Sequence, residues 1–96
     1  MKIEFHPQAL EEMFESARYY KSRSVGLGED FLEAVEETTR RIEQFPNAGP
    51  VATKDIRKRL VFGFPFSVLY NQHEQTIYVV AVMHQRRRPG YWKSRL

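Results

Sequence analysis

Thirteen residues, His84-Gln-Arg-Arg-Arg-Pro-Gly-Tyr-Trp-Lys-Ser-Arg-Leu96, hold five cations and no acidic side chain. They follow an apolar run from Thr76 to Met83, so a rigid element ends in a cationic patch that also carries a histidine, a tyrosine and a tryptophan. Such residues suit phosphate, nucleobases or an acidic protein surface. Arg57, Lys58 and Arg59 form a second basic group on another strand-like run. If the strand ends converge, Arg57, Arg59, Arg86, Arg87, Arg88, Tyr91, Lys93 and Arg95 make one binding surface; a solvated charged rim is the plainer alternative. Solubility alone normally mixes charge signs, and this stretch does not.

His84 can move a proton near neutral pH, although a strand-end histidine more often hydrogen-bonds to backbone. With cations to stabilise a pentacovalent phosphate, His84, Arg86, Tyr91, Arg57 and Arg59 are the candidate set for metal-free RNA cleavage. Tyr91 and Trp92 can stack on bases, but Trp92 is expected to fold back over the sheet. His6 and His73 receive no role. No two histidines have metal-ligand spacing, and neither a metal nor any cofactor is expected. There is no nucleophile–base–acid arrangement, and Gly26-Leu-Gly28 is too short for a phosphate-binding loop.

The elements that must position these residues read as follows. Lys2 to Phe5 alternates like a strand. Pro7 suits a first helical position, and Leu10, Met13, Phe14, Ala17 and Tyr20 or Lys21 form a helical apolar stripe. Glu11, Glu12 and Glu15 precede Arg18, Lys21 and Arg23, an order that complements the helix dipole. Two glycines break the pattern at residues 24–28. A second helix is expected from Glu29 to Phe45, with Phe31, Leu32, Val35, Thr38 or Thr39, Ile42 and Phe45 facing inward. Pro46-Asn-Ala-Gly-Pro50 stops it. Strands follow at Ile56–Phe62, Phe66–Asn71 and Thr76–His84, with Asn71–Gln75 as the last turn. The final strand is apolar on both sides, as for a strand covered on both faces. The expected fold is α+β: an N-terminal strand and an antiparallel helical hairpin packed on a small antiparallel β-sheet, in one domain spanning 1–96.

Net charge is only +3, but residues 1–53 carry six Lys/Arg against ten Asp/Glu, and residues 54–96 nine against two. The C-terminal half is therefore the expected face for an anionic partner. Without cysteine there is no disulfide or thiolate chemistry. No run is long enough to span a membrane and no signal peptide is visible, so a cytoplasmic location is expected.

The chain resembles the RelE/ParE superfamily of bacterial type II toxins, most closely its ParE-like branch of plasmid-stabilisation toxins. The resemblance runs through Phe5-His-Pro-Gln-Ala9, Ala17-Arg-Tyr-Tyr20, Gly26-Leu-Gly28 with Phe31-Leu32, and Ile42-Glu-Gln-Phe-Pro46. It continues through Ile56-Arg57, Phe64-Pro-Phe66, Tyr70 and Val79-Val-Ala-Val-Met-His84-Gln-Arg86-Arg87, ending with Pro89 and Tyr91-Trp92. Each piece is loose alone; together, in this order and length, they are fairly specific. The resemblance implies a growth-inhibiting toxin neutralised by a cognate antitoxin in a hetero-oligomer. Its ParE-like ending implies inhibition of DNA gyrase by binding, without catalysis. A RelE-like ribosome-dependent mRNA endoribonuclease is the alternative, and a non-toxic module binding antitoxin or nucleic acid is the third reading.

Overall fold

A computed structural model describes every residue from Met1 to Leu96. Strand β1 (Lys2–Phe5) leads into α1 (Pro7–Arg23) and α2 (Leu27–Gln44); β2 (Val51–Thr53), β3 (Ile56–Leu60), β4 (Phe66–His73) and β5 (Thr76–His84) follow. The five strands form one sheet in the order β1-β5-β4-β3-β2. The expected α+β arrangement of a helical hairpin on a sheet is present. The neighbours β5-β4-β3-β2 are antiparallel, whereas β1 runs parallel to β5, from Lys2↔Thr76 to Phe5↔Val79. The sheet is thus mixed: the helical hairpin carries the chain away from β1, and β5 returns in the same direction.

Pro7 opens α1, and the His6 ring accepts the Gln8 N–H through Nδ1 at 3.1 Å, which caps the helix. The first turn holds no acid, so the glutamates add little through the dipole, whose effect fades within one turn. The buried face of α1 is rotated from the expected stripe. Ala9 and Ala17 are buried while Leu10 and Phe14 are exposed. This rotation turns Glu12 toward the sheet.

Helix α2 starts two residues earlier than expected, with Gly28 inside it. A Cβ at Gly28 would lie 2.6 Å from the Ala17 carbonyl oxygen, so glycine lets the two helices approach closely. Phe31, Val35, Thr38, Thr39 and Ile42 are buried as their spacing predicts, but Phe45 follows the helix and is exposed. Tyr20, Phe31, Phe64 and Phe66 form an aromatic cluster between the hairpin and the sheet, with Tyr20 tilted on Phe31 and the other pairs edge-to-face.

Strand β2 has no counterpart in the sequence reading, being only three residues long; β3 ends at Leu60, short of Phe62. The last hairpin is tighter than expected. β4 continues to His73, and Glu74 turns with φ 58°. The decisive irregularity lies in β5. Tyr70 pairs with Val79 while Leu69 pairs with Ala81, so Val80 is an extra residue. Ile77 and Val79 pack in the helix-side core, and Val82 rejoins them beyond the bulge. Val80 and Ala81 instead pack on the opposite face with Ile56, Leu69 and Trp92. Trp92, 3% exposed, does fold back over the sheet. Simple alternation, which would put Val80 on one face with Val82 and His84, therefore fails at the bulge.

Candidate functional site

The backbone explains how the site is assembled. β1 stops pairing at Phe5↔Val79, and the chain turns into α1 as the His6 N–H meets the Val79 carbonyl at 2.8 Å. Beyond that point β5 has lost its neighbour on this side. Two side chains take over. The Glu12 Oε1 accepts the Val82 N–H at 3.1 Å, and the Arg95 Nη1 donates to the Val80 carbonyl at 3.0 Å. The Arg95 guanidinium also grips the Glu12 carboxylate at both oxygens, 2.9 Å each. Tyr91 donates its hydroxyl to Glu12 Oε2 at 2.5 Å. The Glu12 and Arg95 side chains are only 14% and 7% exposed.

Burial by itself would raise the Glu12 carboxyl. The hydrogen bonds from Arg95, Tyr91 and Val82 outweigh that and hold it below the usual carboxylate range. Tyr91 responds oppositely: burial, reinforced by its hydrogen bond to anionic Glu12, pushes its hydroxyl well above the ordinary phenol range. At neutral pH Glu12 is charged, Tyr91 keeps its proton, and the pair stays locked to Arg95.

Around this anchor lies a cleft of about 380 Å³ between α1 and the end of β5. His84 and Arg87 reach it from the strand end and its turn, and Glu15, Ser16, Tyr19 and Tyr20 from the helix. His84 Nδ1 accepts the Arg86 N–H at 3.0 Å, which places the proton of the neutral ring on Nε2. Its ring sits edge-on to Phe66, with centroids 5.0 Å apart. The Arg87 guanidinium lies 3.8 Å above the centre of the Tyr91 ring.

The structure divides the basic residues singled out from sequence. His84, Arg87 and Tyr91 share one cleft. Arg86, Arg88 and Lys93 are exposed nearby, and no carboxylate pairs with them. Arg95 turns inward and is neutralised by Glu12. Arg57 and Arg59 lie on β3, separated from β5 by β4, about 10 Å away at normal strand spacing. Arg57 is also engaged: its Nη1 donates to the Gly49 carbonyl at 2.7 Å, beside the Tyr70 hydroxyl that donates to Pro46 at 2.8 Å. Sequence reasoning missed Glu12, Glu15, Ser16, Tyr19 and Tyr20 as parts of this region. One signal was available: Glu12 falls three residues after Ala9 and four before Ser16, in phase with the buried face.

Comparison with known proteins fits this architecture. The family model described as the ParE toxin of the type II toxin–antitoxin system, parDE, matches residues 3–89. A solved chain from the chromosomal ParDE toxin–antitoxin system of P. aeruginosa is similar with a TM-score of 0.64 at 17% identity, covering 88% of this chain and 95% of that one. At that identity the likeness speaks for the fold. No curated protein sequence matches. Both the order of elements and the family match over nearly the whole length lead to one assignment: the chain belongs to the ParE toxin family of type II toxin–antitoxin systems.

Proposed function

We propose that this ParE-family chain arrests growth by binding DNA gyrase, without chemistry of its own, and that a cognate antitoxin encoded beside it neutralises it. The observation that carries binding over RNA cleavage is the lock on Tyr91. Its hydroxyl is hydrogen-bonded to anionic Glu12 and its proton is held far above neutral pH, so it is a poor proton donor or acceptor for a ribonuclease. Arg57, another member of that candidate set, is engaged with the Gly49 carbonyl two strands away. Arg86, Arg88 and Lys93 remain free to meet an acidic protein surface, carried by a turn whose ends are anchored by β5 and by Arg95.

The antitoxin's seat is on the other side of α1. Leu10, Phe14 and Val25 are exposed, and a groove of about 590 Å³ runs past Phe14, Val25 and Leu32, lined also by Arg18, Lys21 and Glu29. An amphipathic segment with acidic flanks fits that combination.

Purified chain should block gyrase supercoiling in vitro, and its induction should trigger DNA-damage signalling and filamentation. Full supercoiling at saturating toxin would refute the gyrase reading. Codon-positioned mRNA cuts that disappear with His84→Ala would favour the ribonuclease instead. The neighbouring gene product should raise the melting temperature, since a partner at a thousandfold its Kd stabilises by about 4 kcal/mol.

A further inference from the structure

The cleft between α1 and the end of β5 has more chemistry than a protein-docking rim requires. Arg87 has no carboxylate partner within the chain, and the His84 Nε2 proton has no acceptor there. Glu12, which also lines the cleft, does not cancel them, because Arg95 neutralises it and Tyr91 hydrogen-bonds it. The cleft therefore presents two unused donors beside aromatic walls from Tyr19, Tyr20, Phe66 and Tyr91.

Each half of this lining excludes a simple occupant. Inorganic phosphate would satisfy Arg87 and His84 but leave the aromatic walls in water. A purely apolar ligand would cover the rings but strip water from Arg87 and His84 without replacing it. A ligand that meets both demands is a planar ring carrying an anionic group. Its orientation follows from the helix. On the α1 side the cleft is lined by Glu15, Ser16, Tyr19 and Tyr20, and the Glu15 carboxylate repels an anion there. The anionic group belongs on Arg87 and His84, and the ring toward α1. There Glu15 offers a carboxylate to ring N–H donors and Ser16 a hydroxyl to sugar oxygens. The volume of about 380 Å³ lies near the lower end of small-molecule sites and suits one nucleotide.

We propose that this cleft binds a purine nucleoside monophosphate, with the phosphate held by Arg87 and His84 and the base among the tyrosines. Guanine is the favoured base, because its N1–H and N2–H₂ donors match a single carboxylate at Glu15. Arg87 is pre-oriented by its 3.8 Å stack on Tyr91, and Tyr91 by Glu12, so the anion-binding guanidinium costs little further ordering on binding. The site is independent of whichever macromolecule the toxin inhibits.

The test is titration of the purified chain, followed by calorimetry and amide NMR, with GMP, AMP, guanosine, ribose 5-phosphate and inorganic phosphate. GMP should bind with a Kd of roughly 0.1 mM or tighter. Guanosine, ribose 5-phosphate and inorganic phosphate should each bind at least about tenfold more weakly. Arg87→Ala should weaken GMP about tenfold or more, while Lys54→Ala, the same charge change on the distant β2–β3 turn, should not. Glu15→Gln should narrow the preference for GMP over AMP. Circular dichroism reports whether Arg87→Ala is folded; if it is not, Arg87→Lys keeps the charge, loses the planar fork, and should still weaken GMP. Absence of GMP binding at millimolar concentration overturns the proposal. Equal affinity for inorganic phosphate, or equal losses from Arg87→Ala and Lys54→Ala, overturns it too, by reducing the site to general electrostatics.

Discussion

Replacing Glu12 with alanine removes the acceptor for four hydrogen bonds at once: those from Val82, Tyr91 and the two Arg95 nitrogens. The Arg95 side chain, 7% exposed, is left as a buried cation with the Val80 carbonyl as its hydrogen-bond acceptor and the Tyr91 ring 5.1 Å away. Removing one partner from a buried pair typically costs about 3–5 kcal/mol. A bare Val82 N–H adds to the damage, though the two losses share one site and do not sum. A domain of this size holds roughly 5–15 kcal/mol in total, so the variant sits near the edge of stability. At about 4–8 °C per kcal/mol, its melting temperature should fall by at least about 12 °C. Arg95→Ala should cost less, because Glu12 keeps the Val82 and Tyr91 donors. The double variant separates this reasoning from a generic surface effect. Once Glu12 is gone, removing Arg95 relieves an unpaired buried charge, so the double loss should fall short of the summed single losses by about 1–3 kcal/mol. Urea unfolding of the four proteins at pH 7 measures this. A Glu12→Ala loss below about 1 kcal/mol, or additivity within about 0.5 kcal/mol, would refute the role given to the pair.

Other expectations follow from the same geometry. Because the Glu12 carboxyl is depressed in the folded chain, its contribution is present above its unfolded pKa of about 4.3 and is lost as pH falls below it. Thermal melting against pH should therefore drop through that acid window, and more shallowly in Glu12→Ala. Tyr91 works at the other end: its folded pKa is raised, so its contribution is complete below about pH 10 and lost as pH rises beyond, and Tyr91→Phe should flatten that limb. Trp92→Ala empties the outer-face cluster and should cost about 3–5 kcal/mol by urea unfolding, whereas a loss under about 1 kcal/mol would mean the tryptophan does not seal the sheet. Gly49→Ala places a Cβ 2.6 Å from the Lys58 carbonyl and 2.8 Å from the Tyr70 hydroxyl; its melting temperature should fall clearly, and an unchanged value would refute that tight approach.

The two helices and the three longer strands were legible in the sequence because each buries a periodic apolar set. Phe31, Val35 and Ile42 repeat at helical spacing, and the β5 run is apolar on both faces because α1 covers one side and Trp92 the other. What escaped was set by contacts distant in sequence. β2 is too short to carry a pattern, and the parallel pairing of β1 with β5 joins residues more than seventy positions apart. A one-residue bulge leaves no mark in a run where every neighbour is apolar, so the sequence does not reveal that Val80 and Val82 face opposite sides. In the candidate site, the basic residues stood out by type and their absence of acid neighbours. Arg95 nevertheless turned inward, because its partner Glu12 lies on a helix whose buried face is built from alanines. Small residues such as Ala9 and Ala17 bury a helix face deeply while adding little to its apolar stripe, so the larger Leu10 and Phe14 pointed to the wrong side.

The meeting of β1 with β5 also sets a timetable for synthesis. As the chain leaves the ribosome, β1 and the helical hairpin appear first, yet β1 has no strand to pair with until β5 follows. Glu12 likewise waits for Val82, Tyr91 and Arg95. The hairpin can form early because its contacts are local, but the sheet it covers closes late. The basic turn takes its final shape only when that closure occurs. The groove on the outer side of the hairpin, lined only by residues of the two helices and their link, is thus complete while the cleft at the end of β5 is still unmade.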